Sequence, residues 1–428
     1  MSYIETYYRR SIGAADAPRP SLQGTTNADV CIIGGGLAGL TAALTLVRSG
    51  KTVVLLEAER IAWGASGRNG GFVSPGFAAG YDKIEQRVGT DQAKALHRLS
   101  IEGVSIVSEN IEQYGAGAIS RTPGILGVVR HEASSSLKAR RDRLGREFDY
   151  NVEFKSRDEV RALLASPRYY QGLYDPNAFH IDPLAYARML ARAVESLGGR
   201  LFERTAALQL TSSEGAQIVK TSEGEARAKD VLITSGGYTG RLIPQLTRSY
   251  LPIATYVMVT APDHALIQSA IRTTAAIGDD RRAGDYYRLV DNGQRILWGG
   301  KITTRVSEPK RLGRLLHETM ASTYPQLRNL PVETVWSGLM SYARHLMPQI
   351  GQLRDGVWYC TAFGGHGLNT TAIGGRVIAE GIAGSSDRYR MFEPFGLVWN
   401  GSIVGRAAAQ LTYWSYQAAD RWRERKAG

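Results

Sequence analysis

The chain has 428 residues, 43% of them hydrophobic and 21% charged, enough to bury a sizeable core in two or three domains. Its net charge of +12 favours anionic ligands, yet Arg and Lys are scattered and no helix-turn-helix or zinc-finger pattern accompanies them, so nucleic acid is not an expected partner. The two cysteines, Cys31 and Cys360, sit in apolar runs without a Cys-x-x-Cys pair, which argues against a disulfide framework and fits a reducing cytoplasm.

Residues 1–27 are polar and irregular, carry no apolar stretch of signal-peptide type, and read as an N-terminal extension. The run ADVCIIGGG then predicts a fully buried parallel strand, apolar without alternation. Leu37, Leu40, Leu44 and Val47 recur at helical spacing up to Gly50, a plausible stop. KTVVLLEAE predicts a second buried strand, completing a βαβ unit of about 30 residues. Residues 30–47 are uncharged and long enough to raise the alternative of a membrane helix. Four glycines near its start, Gly34, Gly35, Gly36 and Gly39, favour strand, turn and helix instead.

From 83 to 177 the text is more polar, with helical stretches such as DQAKALHRLSIEGVSIVSENIEQYG. At 180 an α/β pattern resumes: a helix with Pro183 in its first turn, RLFERTAALQL as one strand, then a hairpin and another buried strand ending at SGG. Residues 250–305 predict antiparallel strands, with Asp291-Asn292-Gly293 as a hairpin turn. VWYCTAFGGHGLNTTAIGGRVIAEGIAG returns to strand, glycine loop and helix. The expected fold is α/β: a discontinuous Rossmann-type domain from 28–82, 178–238 and 352–385, with an interleaved α+β domain on an antiparallel sheet from 83–177 and 239–351. Residues 386–428 form a tail with a helix whose aromatics and basic face either dock on the protein's own surface, the reading preferred here, or touch a membrane.

Gly34-Gly35-Gly36-Leu37-Ala38-Gly39 matches G-x-G-x-x-G where its mechanism needs it, between a buried strand and a helix. Gly34 permits the tight turn, Gly36 lets backbone approach a pyrophosphate, and Gly39 lets helix pack on strand, with Leu37 and Ala38 opening the helix. Glu57, at the end of the second strand, is placed to accept from a ribose diol.

The segment Trp63-Gly64-Ala65-Ser66-Gly67-Arg68-Asn69-Gly70-Gly71, with the late block FGGHGLNTTAIGGRVIAEGI, resembles the D-amino-acid-oxidase-like family of FAD-dependent oxidoreductases, most closely its γ-glutamylputrescine oxidase branch. The resemblance runs from about Asp29 to Ala383 and implies non-covalent FAD and a small-molecule amine or amino-acid substrate oxidised at a C–N bond. It implies electron transfer to O2 or another acceptor. Expected cofactor contacts are then Ala65, Ser66, Arg68, Asn69, Gly70, Gly71, Ala207, Gly236, Gly364, Gly365, His366, Gly367, Leu368 and Asn369. The late helix N-terminus would stabilise negative charge on the reduced flavin edge. His366 either sits beside the flavin or satisfies the turn.

Two departures matter. Where the sarcosine-oxidase branch has a carboxylate-binding lysine, this chain has Asn369, which favours a longer amine. Where that branch attaches FAD through cysteine, GLMSYARHLMPQIG has none. Tyr286, Tyr287, Trp298 and Tyr342 either wall an amine by cation–π attraction or pack in the core; Tyr287 and Trp298 join His366 as candidates for contact with the reacting atoms. Arg288 and Arg344 either receive a carboxylate or are solvated. Two other readings stand beside an amine oxidase: an amino-acid dehydrogenase passing electrons to quinone, and a non-enzymatic flavoprotein. No G-x-S-x-G, H-E-x-x-H or metal-spaced Cys/His cluster occurs, so no metal is expected.

Overall fold

Two sheets share one interior. The structure, a computed structural model, describes residues 3–12, 17–115, 117–281, 284–304 and 309–427. Parts of the N-terminal extension (1–2 and 13–16) and Gly428 of the C-terminal run lie outside the described residues.

The first sheet runs, in spatial order, Gln349–Arg354, Val357–Thr361, Gly224–Ile233, Gly24–Ile33, Val53–Leu56 and Arg200–Phe202. The five from Val357–Thr361 onward are parallel; Ile32 stands opposite both Leu55 and Leu232. Val30 and Ile32 face the helices Leu37–Arg48, Pro183–Ser196 and Gly367–Ala383, whereas Cys31 and Ile33 face a second apolar layer with Val219 and Tyr250. Burial on both faces explains the unbroken apolar run. The expected strand RLFERTAALQL is broken into Arg200–Phe202 and Gln209–Ser213. Glu203 is the cause: its fully buried carboxylate accepts from the Ile61 and Arg19 amides and pairs with Arg60 at 2.6 Å, while Arg204 takes a φ of +53°.

The second sheet runs Val332–Ala343, Tyr250–Thr260, Arg295–Thr303, Tyr286–Val290, Ala276–Asp279, Thr122–Val128, Gly172–His180 and Phe72–Val73. Asp291, Asn292 and Gly293 all have positive φ and close the expected hairpin. One face of this sheet, with Val257, Leu297 and Trp336, joins the interior of the first sheet's helices. The other is covered by Pro309–Thr323 and His264–Ala270. A single bridge between Tyr342 and Phe363 brings the edge of the second sheet to the last loop of the first.

The N-terminal segment is less irregular than its composition suggests. Tyr7–Ser11 is helical, Tyr8 is fully buried, and its hydroxyl donates to Asn69 O at 2.7 Å. Tyr3 donates to Ile61 O at 3.0 Å, so this segment braces the loop that follows the second strand.

Candidate active site

Parallel strands end together, and the carboxyl ends of the first sheet open onto one cleft of about 690 Å3. Six stretches line it: 33–38, 56–69, 205–208, 234–242, 339–341 and 363–371.

At its start, Gly34 has φ +112°, and a Cβ there would lie 2.9 Å from the Ser235 backbone. A Cβ on Gly36 would come within 2.9 Å of Ser66 Oγ, and one on Gly39 within 2.2 Å of Gly34 O. These positions keep a cradle that side chains would fill. The helix Leu37–Arg48 has no capping side chain of its own; Ser66 Oγ accepts from Leu37 N–H at 3.0 Å. Its first turn therefore offers amides and the positive end of the helix dipole to an anion. Glu57 accepts from Gly35 N–H at 2.7 Å and from Glu59 N–H at 2.9 Å. Burial raises its carboxyl pKa, and the two amides oppose that shift.

At the far end, Gly364 has φ +62° and Cβ atoms on Gly364 and Gly365 would press on the Tyr342 ring and hydroxyl at 3.1 and 2.9 Å. The helix Gly367–Ala383 begins here, also without a side-chain cap. Burial pushes the Tyr342 hydroxyl up to about 12 and lowers the His366 imidazole pKa, with Arg140 adding to the latter. Trp63 and Tyr238 meet edge to face at 5.6 Å on the rim, and the Arg68 guanidinium lies 4.5 Å over Trp63.

Of the residues singled out from sequence, Gly34, Gly36, Leu37, Ala38, Glu57, Ala65, Ser66, Asn69, Ala207, Gly236, Gly364, Gly365 and Gly367 line this cleft. Gly39, Arg68, Gly70, Gly71, His366, Leu368 and Asn369 stand behind its wall. Gly39 packs helix on strand, and Arg68 ties Trp63 O to Ser337 O. Gly70 and Gly71 lie against Tyr286 and Ile181 O. Leu368 is buried in the core, and Asn369 donates its amide to Gly76 O and Ser100 O. His366 occupies the position before the late helix without a side-chain hydrogen bond to it, and Gly76 lies beside its ring.

Tyr287 and Trp298 require a correction. Both are fully buried and stack at 4.2 Å on the far face of the second sheet, where the Tyr287 hydroxyl bonds Tyr324 and Tyr169. Neither can touch a substrate in the cleft. Strand alternation puts Tyr286, not Tyr287, on the face toward the cleft-forming loop, beside Gly70 and Phe72. Arg288 is occupied by the carbonyls of Gly70 and Ile181, and Arg344 is exposed. Sequence reasoning passed over Thr205, Thr234, Tyr238, Arg241, Met340 and Ser341, which also line the cleft. Thr234 carried a usable signal: it directly follows the buried strand Gly224–Ile233, one step before Ser235-Gly236, and its hydroxyl donates to Gly34 O at 2.9 Å. Among the described residues no group of His, Cys, Asp and Glu could hold a metal.

The chain matches the FAD-dependent oxidoreductase family (DAO) over residues 29–381. It is 32% identical to the γ-glutamylputrescine oxidoreductase of Escherichia coli, over 91% of each chain. It is 30% identical to a probable oxidoreductase, OrdL, of Haemophilus influenzae, over 99% of each. Among solved structures, glycine oxidase from Geobacillus kaustophilus superposes with a TM-score of 0.71 at 20% identity, covering 87% of this chain and 98% of that one. L-proline dehydrogenase from P. horikoshii gives 0.70 at 17%, covering 89% and 98%.

Proposed function

The chain belongs to the DAO family of FAD-dependent oxidoreductases, and on that premise we propose that it oxidises the C–N bond of an alkylamine, γ-glutamylputrescine being the first substrate to try. When bound in the cleft, FAD would supply the acceptor chemistry for a hydride from the carbon beside the amine nitrogen, with O2 or another acceptor as the final oxidant. Gly34, Gly36 and the helix start at Leu37 and Ala38 would hold the pyrophosphate, and Glu57 the ribose diol. Ala65, Ser66, Asn69, Ala207 and Gly236 would flank the extended cofactor. Gly364, Gly365 and the N-terminus at Gly367 would present amides to the ring edge where negative charge develops.

Tyr342 packs against Gly364 and Gly365 at this end of the cleft and Tyr286 against Gly70 behind its wall, and aromatic surface of this kind suits an alkylamine. The amine has to react neutral, because only a free nitrogen lone pair drives hydride loss from the neighbouring carbon. Burial and the neighbouring Arg140 lower the His366 pKa, which is compatible with that state. The imine then hydrolyses to an aldehyde in water. Two buried, unbridged cysteines support a reducing, cytoplasmic setting.

One observation carries the choice of substrate class. Asn369 stands where the sarcosine-oxidase branch has its carboxylate-binding lysine, and its amide is turned away into the Gly76 and Ser100 carbonyls. A carboxylate beside the reacting carbon therefore loses that anchor. The test compares kcat/KM for γ-glutamylputrescine and simple alkylamines with that for sarcosine, D-alanine and proline. The alkylamines should lead; α-amino acids ahead by about tenfold would overturn the assignment. Peroxide yield under air separates O2 from a quinone as acceptor.

A further inference from the structure

The C-terminal helix Ser402–Ala427 has one face held and one face largely exposed. On the held face, Gln410 Oε1 accepts from Thr304 N–H at 3.1 Å and from the Thr303 and Thr304 hydroxyls at 3.3 Å. Further along, Asp420 is buried and Glu424 reaches Arg130, Arg168 and Arg281 at 3.5, 3.4 and 3.8 Å. Arg168 also donates to Ser322 O in the last turn of Pro309–Thr323. These contacts fix the rotation of the helix about its axis.

The opposite face is apolar in steps of three and four: Val404, Ala407, Leu411, Trp414, Ala418, Trp422. Val404 is 75% exposed, Leu411 61%, Trp414 57% and Trp422 59%. Together with Trp399 and Ile403, they make six of the eleven large hydrophobic side chains exposed among the described residues. Arg406, Arg421 and Arg423 are exposed on the same helix, Arg421 and Arg423 to the two sides of Trp422. The helix has only two acidic residues, Asp420 and Glu424, and both turn inward.

We propose that this face seats the protein on an anionic lipid bilayer, with the helix lying in the plane of the interface. Indole rings favour the headgroup level, and arginines there meet lipid phosphates. The cytoplasmic leaflet carries a negative surface potential, which a surface of Trp, Leu, Val and Arg without a carboxylate complements. A second copy of the chain is disfavoured by the same charges. Antiparallel pairing of two such helices brings Arg421 and Arg423 against the partner copy's Arg406, and parallel pairing sets each arginine against itself. No helix among the described residues is long and apolar enough to cross a membrane, so the seat is peripheral.

The experiment uses the flavin-loaded full chain with vesicles of phosphatidylcholine alone and of equimolar phosphatidylcholine and phosphatidylglycerol. Co-sedimentation should occur with the anionic vesicles and weaken with added salt, accompanied by a blue shift in tryptophan emission. The triple variant L411S/W414S/W422S should lower the bound fraction by about tenfold at unchanged flavin content. Should that variant lose its flavin, R406Q/R421Q/R423Q decides: release from anionic vesicles supports the proposal and undiminished binding overturns it. Absence of co-sedimentation with anionic vesicles overturns it. So does a dimer in sedimentation velocity that L411S/W414S/W422S dissolves.

Discussion

Glu57 holds its carboxylate between two backbone amides, Gly35 and Glu59, and faces the cleft with the remaining lone pairs. Glu57→Ala removes a charged acceptor from a ribose and also leaves those amides to find water. FAD affinity should fall by about 1–3 kcal/mol in a titration of apoprotein, and unchanged affinity would place the ribose elsewhere. Tyr286 and Tyr287 are neighbours in sequence with separate tasks. Tyr287→Phe should lower unfolding free energy by about 1–3 kcal/mol, since it breaks a buried trio with Tyr169 and Tyr324, and leave kcat/KM as it was. Tyr286→Ala should instead reduce kcat/KM by the equivalent of about 1–2 kcal/mol in steady-state assays. A reversed pattern would put the amine on the other face of the sheet. The sequence DYYRLV announces a strand, and its period of two is legible. Which of two adjacent tyrosines faces the ligand is not, because a shift of one residue exchanges the faces and nothing local records it. The orientation of Asn369 was not legible for a related reason: a motif places a residue on a helix start, while the neighbours that claim its side chain, Gly76 and Ser100, lie about 270–290 residues away.

At the level of elements, the glycine turn was the most legible part of the molecule, because each glycine answers a steric demand within a few residues. Gly39 shows this in its sharpest form, with Gly34 O, Thr234 Oγ1 and Ile32 crowding the space a Cβ would need. Gly39→Ala should lift the helix from the strand and lower the flavin retained on purification by about tenfold, read from the ratio of flavin to protein absorbance. Full retention would show that the turn can relax. The buried parallel strands and the Asp291–Gly293 hairpin were equally plain, being written in apolar runs and positive-φ residues. The break after Phe202 was not. Propensity favours continuing the strand, but a carboxylate at Glu203 with two arginines and two backbone amides to satisfy it outweighs that preference. The N-terminal helix escaped notice because five residues give too little periodicity, and its stability comes from Tyr8 entering the core.

On the scale of the whole molecule, Cys31 and Cys360 are both fully buried, so neither thiol reaches the cleft. The protein should release intact FAD on acid precipitation, and FAD at about 100 times its Kd should stabilise the fold by about 2.7 kcal/mol in thermal melts. Flavin left in the pellet would reveal a covalent link. Acid acts through His97 and His180, whose pKa values burial lowers to about 4, the like charge of Arg140 and of Arg288 respectively adding to the shift. The unfolded chain protonates the same imidazoles near 6.5. Between those values it binds more protons than the native state, so stability should fall as pH drops from about 6.5 towards 4 and stay level with respect to these groups above that window. His97→Phe, which keeps the ring against Phe148 at 4.3 Å, should flatten the decline of melting temperature, and an unaltered slope would remove His97 from the cause. The order of strands in the first sheet also bears on how the chain is made. Strand Gly24–Ile33 finds Val53–Leu56 soon after it is synthesised, but its other neighbour, Gly224–Ile233, lies about 200 residues later. At roughly 5–20 residues per second the ribosome needs on the order of 10–40 s to deliver that partner. For that interval an apolar edge waits open on a nascent chain, which argues for slow, cool expression.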